Sequence, residues 1–351
     1  MADFAQRLMS LALEEAVKSP WTVRPNPRVG AALQTLSGEV VSGHHKVFGG
    51  PHAEIEVLNE CQRRGLSVKR ATMAVTLEPC AHAGKTPPCT DALIQAGVAR
   101  VIVGASDSAK WVDGRGIAAL KQAGIEVLQG VLENECLAMN WGWLRAHELG
   151  RPYVRIKMAT SVDGKWTADD GSSRWITGPC ARDLGHELRE RSDMVIVGRN
   201  TVEVDDPMMT ARNVDGGLRA HQPRVCVLSR SPERVSLEGR RLLRQPRVAE
   251  ELGAQRSVLR SGADLSNLLK TLYQEQVYEL LLESGPTLTH QFLEKKLFDE
   301  IHLFMGAKFL GGNGFSMPAF CSGTLPGLTT QILSHQLTDD GDMYFILSQT
   351  E

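Results

Sequence analysis

Phe4, Leu8, Leu11, Ala12 and Glu15 recur at helical spacing and Pro20 follows, so the pattern predicts an opening amphipathic helix. Asn26-Pro27-Arg28-Val29-Gly30 turns into a short strand, and a second strand is expected around Glu39 to Ser42. Gly43-His44-His45 and Gly49-Gly50-Pro51 form a flexible approach to the next helix, which places His52 and Glu54 at a helix start. Thr72 to Leu77 and Arg100 to Ala105 are apolar, β-rich runs, and Ile125 to Leu128 is another. Short helices separate them, and one helix from about Leu132 to Glu148 closes the series. This β, α, β, α alternation predicts a layered α/β domain.

Gly150-Arg151-Pro152 breaks the pattern, so the boundary is placed there, dividing the chain into domains 1–149 and 150–351. The second half restarts with a strand over Tyr153 to Ala159, turning at Thr160 to Gly164. Asp193 to Gly198 and Arg224 to Leu228 are further strands, and Pro179 to Arg191 is helical. Tyr278 to Glu283 runs into Glu283-Ser284-Gly285-Pro286-Thr287, a strand, tight turn and helix start of the kind whose free N–H groups bind phosphate. The tail, Gln331 to Ser348, reads as two strands turning at Asp340-Gly341, and no internal repeat or low-complexity tract occurs.

The 351 residues suit two domains. The net charge is -2 and neither half is basic, which argues against a nucleic-acid partner. Seven scattered Cys do not form a secreted disulfide framework, so a reducing, cytoplasmic setting is expected. Met1 to Ser19 carries acidic residues rather than a basic region followed by a pure apolar run, and no apolar run reaches about 18 residues, so no membrane span is expected.

The chemistry concentrates at Pro51-His52-Ala53-Glu54, Pro79-Cys80 and Cys89. One His and two Cys can hold Zn²⁺ and leave its fourth tetrahedral position for water, whose pKa falls to ~7. H-x-E followed by P-C and a second Cys is the zinc-deaminase arrangement, in which the Glu moves protons and does not bind metal. Glu54 would take a proton from the water, pass it to a ring nitrogen, and help protonate departing ammonia. Cys89, at a helix start and beside a cation, would be a low-pKa thiol. The Cys80 to Cys89 spacing is wider than the usual C-x-x-C. With His82 as a fourth ligand the site would instead be structural.

That wide loop, Glu78-Pro79-Cys80-Ala81-His82-Ala83-Gly84-Lys85-Thr86-Pro87-Pro88-Cys89-Thr90-Asp91, resembles the riboflavin-biosynthesis deaminases, as do Asn26-Pro27-Arg28-Val29-Gly30-Ala31 and Pro51-His52-Ala53-Glu54. The second half resembles their partner reductase at Ser172-Ser173-Arg174-Trp175-Ile176-Thr177, Gly198-Arg199-Asn200-Thr201-Val202, Asp205-Asp206-Pro207, Thr210-Ala211-Arg212 and Glu283-Ser284-Gly285. The resemblance spans essentially the whole chain. It implies a cytidine-deaminase-like three-layer α/β/α domain and a dihydrofolate-reductase-like α/β domain. No G-x-G-x-x-G follows a strand, so a Rossmann domain is not indicated.

The resemblance further implies Zn²⁺ and NADPH as cofactors, small pyrimidine ribotide substrates, and a homodimer formed through the reductase domain. Carried over by motif, Asn26, His82, Lys85 and Asp107 become substrate contacts of the deaminase. Lys157, Ser173, Thr177, Arg189, Asp205, Met209, Arg212 and Glu283 become the substrate-facing set of the reductase, with Lys157 or Glu283 assisting protonation. Ala159, Trp175, Thr201, Asp205 and Gly285 become NADPH-binding positions. One segment departs from the family, whose Asp-Pro-Asn-Pro is here Asp107-Ser108-Ala109-Lys110. That leaves open compensation by Lys110 or a weaker, even regulatory, deaminase half. A polynucleotide or nucleoside deaminase fused to an unrelated domain, and a zinc-stabilised binding module without turnover, are the competing readings.

Overall fold

The computed structural model describes residues 2–81, 87–106, 114–170, 176–243, 257–261, 264–314, 316 and 328–350. They form two compact units, Met1–Gly150 and Arg151–Glu351. No described helix is long and apolar enough to cross a membrane.

The first unit opens with α1 (Ala2–Lys18), whose Ala5, Leu8, Met9, Ala12 and Ala16 are buried. It lies on a five-stranded sheet ordered β2-β1-β3-β4-β5, made of β1 (Gly30–Gln34), β2 (Val40–His44), β3 (Thr72–Leu77), β4 (Arg100–Ala105) and β5 (Glu126–Gln129). β1 is antiparallel to β2 and β3, whereas β3, β4 and β5 run parallel. A Cβ at Gly30 would overlap the Ala12 carbonyl oxygen, so glycine permits the close approach of α1 to β1. α2 (Ala53–Arg63), α3 (Cys89–Ala96) and α4 (Arg115–Gln122) bury Val57, Leu93, Ile117 and Leu120 in a core shared with Leu33, Met73, Val75 and Val103.

The expected single helix over 132–148 is two, α5 (Glu133–Met139) and α6 (Trp141–Leu149). Asn140 separates them at φ -127, ψ 24. Its side chain accepts from the Arg28 N–H at 2.9 Å and donates to the Arg28 carbonyl at 2.8 Å. This tie to a distant turn takes the place of helix continuity, and Trp143 Nε1 adds a bond to the Pro25 carbonyl at 3.1 Å.

The second unit contains β6 (Tyr153–Ser161), α7 (Pro179–Glu190), β7 (Met194–Gly198), α8 (Arg199–Asp205), β8 (Arg224–Ser229), β9 (Ser257–Ser261), α9 (Leu265–Gln274), β10 (Glu279–Leu282), α10 (Pro286–Glu294), β11 (Glu300–Gly306), β12 (Thr330–Leu337) and β13 (Met343–Gln349). Its sheet order is β12-β13-β11-β6-β10-β7-β8-β9. The strands from β11 to β9 are parallel, and β13 is antiparallel to β11 and β12.

Alternation splits these apolar strands between two cores. Met194 and Ile196 join Ile156, Leu280, Leu282 and Phe292 on one face. Val195 and Val197 join Val225, Leu281, Leu188 and Phe304 on the other. Continuous apolar runs are what a parallel sheet covered on both faces requires. β10 ends at Leu282, in register with Ile156, so the second half of β6 runs beyond it. Ligand sites of open α/β sheets form at such carboxyl ends.

Candidate functional site

In the first unit, His52 is the extended residue before α2, at φ -70 and ψ 166, and Glu54 lies in the first turn of that helix. Cys80 follows β3, and Cys89 opens α3. His52 Nδ1 is 3.7 Å from Cys80 Sγ and 3.3 Å from Cys89 Sγ, and the three donor atoms lie within 4.8 Å of one another. Ordinary Zn–N and Zn–S bonds at a tetrahedral angle put N and S roughly 3.6 Å apart. One imidazole and two thiols at these separations therefore fit zinc in both ligand chemistry and spacing.

The backbone holds this arrangement. The Cys89 N–H donates to Cys80 Sγ at 3.4 Å, and the Thr90 N–H donates to the Cys80 carbonyl at 3.2 Å. The thiols share protons unequally. The hydrogen bond from Cys89 brings Cys80 down to about 4, whereas that same bond, and then burial, push Cys89 up. Holding zinc would require both thiols to be deprotonated.

Glu54 is 3 % exposed, and burial raises its pKa against the opposing pull of His52. Asn26 donates through Nδ2 to His45 Nε2 at 3.2 Å, and His45 Nδ1–H donates to the Pro51 carbonyl at 2.8 Å. Burial lowers the His45 pKa, which favours the neutral ring that these two bonds require. The His45 and His52 rings meet edge-on at 5.3 Å. Sequence reading passed over His45 as part of a flexible approach; its only signal was a histidine seven positions before the ligand.

In the second unit, three predicted residues converge from separate elements: Lys157 on β6, Glu283 just past β10, and Arg189 on α7. Arg189 binds both oxygens of Glu283, Nε to Oε1 at 2.5 Å and Nη2 to Oε2 at 2.8 Å. Burial would raise the Glu283 pKa, but attraction to Arg189, and then to Lys157, holds it at about 2. Burial lowers Lys157, partly offset by Glu283. His186, one turn before Arg189, was not foreseen; its Nδ1–H donates to the Thr210 carbonyl at 3.1 Å. Burial, then Arg189 and Arg212, bring it to about 4.

Arg212 donates to Thr210 Oγ1 at 2.6 Å. Met209 is buried with φ +49, a left-handed conformation that costs a non-glycine residue roughly 1–2 kcal/mol. Ala159 lies two residues beyond Lys157 on the same face of β6 and packs on the core that includes Phe304. Thr201 is in the first turn of α8, and a Cβ on Gly285, before α10, would stand 3.9 Å from its Oγ1. Asp205 ends α8 and is exposed. Thr177 lines a cleft of about 380 Å³ with Arg182, Lys308, Asp340 and Asp342. His82, Lys85, Asp107, Ser173 and Trp175 lie outside the described residues.

Residues 2–105 match the cytidine and deoxycytidylate deaminase zinc-binding region, and residues 152–341 match the RibD C-terminal domain. The chain is 38% identical over 324 residues to the riboflavin biosynthesis protein RibD of Aquifex aeolicus, covering 88% of each chain. It is 36% identical over 344 residues to that of Escherichia coli, covering 91% of each. Among solved structures, Acinetobacter baumannii RibD, form 1, superposes with a TM-score of 0.88 at 33% identity over 100% of both chains. A Thermotoga maritima diaminohydroxyphosphoribosylaminopyrimidine deaminase/5-amino-6-(5-phosphoribosylamino)uracil reductase does so with 0.85 at 28% identity over 99% of both.

Proposed function

The chain belongs to the RibD family of bifunctional riboflavin-biosynthesis enzymes, which deaminate and reduce with zinc and NADPH, and on that premise we propose its substrate and the side chains that act on it. The first unit hydrolyses the 2-amino group of 2,5-diamino-6-ribosylamino-4(3H)-pyrimidinone 5′-phosphate, consuming water and releasing ammonia. The second reduces the ribosyl chain of that product to a ribityl chain, giving 5-amino-6-ribitylaminouracil 5′-phosphate. The Thermotoga relative, described as catalysing both steps, supports this pair of reactions.

The convergence of His52, Cys80 and Cys89 beside a buried Glu54 carries the deaminase reading. His52, Cys80 and Cys89 would hold zinc, which would supply a Lewis acid that makes water a nucleophile near neutral pH. Glu54, whose burial raises the proton affinity of its carboxylate, takes the proton of the attacking water, delivers it to the ring nitrogen beside the attacked carbon, and serves the departing amine. Asn26, oriented by neutral His45, presents its remaining amide atoms to the pyrimidine. His82, Lys85 and Asp107 complete the substrate contacts.

In the second unit, hydride from NADPH must be matched by a proton. Glu283, held as a carboxylate with its pKa at about 2 by Arg189, is poorly suited to give one near neutral pH. Lys157, made more acidic by burial, is the better donor, and Glu283 keeps its ammonium in place. Ser173, Thr177, Arg189, Asp205, Met209 and Arg212 face the sugar phosphate. Ala159, Trp175, Thr201, Asp205 and Gly285 receive NADPH; the N-terminus of α10 behind Gly285 offers free amides to a phosphate.

A coupled assay with purified protein, the diaminopyrimidine phosphate and NADPH should release ammonia and then oxidise NADPH. Ammonia without NADPH oxidation would remove the reductase assignment, and neither product would overturn the whole reading. Self-association through the second unit is supported by edge strand β12, whose Ile332, Leu333 and Leu337 are exposed. A monomer at every concentration in light scattering would refute it. Cys61, Cys136 and Cys180 form no disulfide, in keeping with a cytoplasmic location; an exported native protein would refute that.

A further inference from the structure

Glu78 stands two residues before Cys80 and is only 4 % exposed. Burying a carboxylate costs several kcal/mol unless hydrogen bonds replace its water. Its oxygens are satisfied by backbone amides: Oε1 accepts from Gly116 at 2.9 Å and Ile117 at 3.2 Å, and Oε2 accepts from Gly114 at 3.2 Å. These amides lie at the start of α4, where helix N–H groups lack internal partners and the dipole favours an anion. The carboxylate comes from a residue 36 positions earlier, so it joins two separate parts of the unit rather than closing its own turn.

The join is tight. A Cβ at Gly116 would overlap the Pro79 carbonyl oxygen and come within 3.2 Å of Glu78 Oε1, so the first turn of α4 rests directly on the peptide before Cys80. From the other side, Thr90 binds the Cys80 carbonyl through both N–H and Oγ1, at 3.2 and 3.3 Å. The Glu78 N–H meanwhile donates to the Ala105 carbonyl at 3.0 Å, extending the β3–β4 pairing up to the turn. The Cys80 peptide is thus held between α3 and α4, and Glu78 makes the α4 half of the clamp.

We propose that Glu78 is a positioning residue for the zinc site: by docking α4 beneath Glu78-Pro79-Cys80, it sets where Cys80 Sγ stands relative to His52 Nδ1 and Cys89 Sγ, and so sets metal retention. This rests on the zinc reading of the first unit. Supporting groups behind metal ligands typically change affinity 10–100-fold when removed. Glu78→Ala removes all three bonds. Glu78→Gln keeps an oxygen able to accept the Gly116 and Ile117 pair. Gly116→Ala leaves the charge in place and pushes the Pro79 carbonyl away.

The test uses the full chain loaded with Zn²⁺ or Co²⁺, with reductase turnover as an internal check of folding. Zinc release to a chromogenic chelator should be about 10–100-fold faster in Glu78→Ala and Gly116→Ala, and their Co²⁺ absorption bands should shift. Glu78→Gln should stay close to wild type in both. Wild-type release rates and Co²⁺ bands in Glu78→Ala and Gly116→Ala would overturn the assignment, even if their melting temperatures fell, because that result describes a merely structural carboxylate. If Glu78→Ala is not recovered folded, Gly116→Ala decides by the same two measurements. A wild-type chain that takes up neither metal would instead overturn the zinc reading itself.

Discussion

Arg189 on α7 holds both carboxylate oxygens of Glu283, 94 positions away at the end of β10, at 2.5 and 2.8 Å. Two parallel charge-assisted bonds fix orientation as well as charge. Both side chains are largely buried, and Lys157 adds a second positive group. Glu283→Gln would leave buried cations without their counter-charge, so it should lose roughly 3–5 kcal/mol of stability at pH 7, together with reductase activity. The folded-state pKa of Glu283 is depressed from 4.5 to about 2. Its contribution is therefore complete above the unfolded value and disappears as pH falls from there through about 2. Urea unfolding of wild type and variant at pH 7 and pH 3 should show the gap narrowing at the lower pH, and equal stability at pH 7 would contradict it.

Glu54 and His52 lie two residues apart but should fail differently. Glu54→Gln retains the three donors, so metal content should match wild type while deaminase turnover falls about 10²–10⁴-fold. His52→Ala leaves only two donors and should lose the metal. Dialysis against a chelator should abolish ammonia release, spare NADPH oxidation with the deaminated substrate, and be reversed by added zinc. Metal analysis beside both assays checks this, and a metal-free chain that still deaminates would refute it.

Asn140 and Arg28 form a two-bond clasp across 112 positions. Asn140→Ala should cost about 1–3 kcal/mol by leaving a backbone donor and acceptor without their partner. Because the clasp holds the turn that carries Asn26, the deaminase KM should rise more than its kcat falls. Thermal melting and steady-state kinetics test the two parts separately; unchanged values in both would count against the clasp.

Some of these features were legible in the chain alone. Pro51-His52-Ala53-Glu54, Pro79-Cys80 and Cys89 put metal-binding atom types and a proton carrier at helix starts and just past a strand, and the fold brings the three donor atoms within 4.8 Å of one another. Helical spacing in α1 and the apolar run of β7 likewise carry their own structure, since 3.6-residue and two-residue periods are set by the backbone. The break at Asn140 was hidden because apolar spacing continues through Leu137 and Leu144, and the competing partner is Arg28. Arg189 and Glu283 were both singled out, but nothing near either names the other as its partner. Glu78 stands in the chain only as the first residue of the wide loop, and its contact with the amides of α4 joins positions too far apart for spacing to reveal.

The sequence by itself determined the inventory: two α/β units, three candidate zinc-binding side chains, a neighbouring glutamate, and a second set of ionisable residues in the other half. Tertiary structure decided the electrostatics and the clamps. It brought the Cys89 thiol against Cys80, bound Glu283 into a carboxylate state, and turned Glu78 toward the amides of α4. The physical reason is range. Spacing along a chain controls contacts within a turn or a strand, whereas burial and the meeting of distant elements set the desolvation and close charge pairs from which these shifts arise.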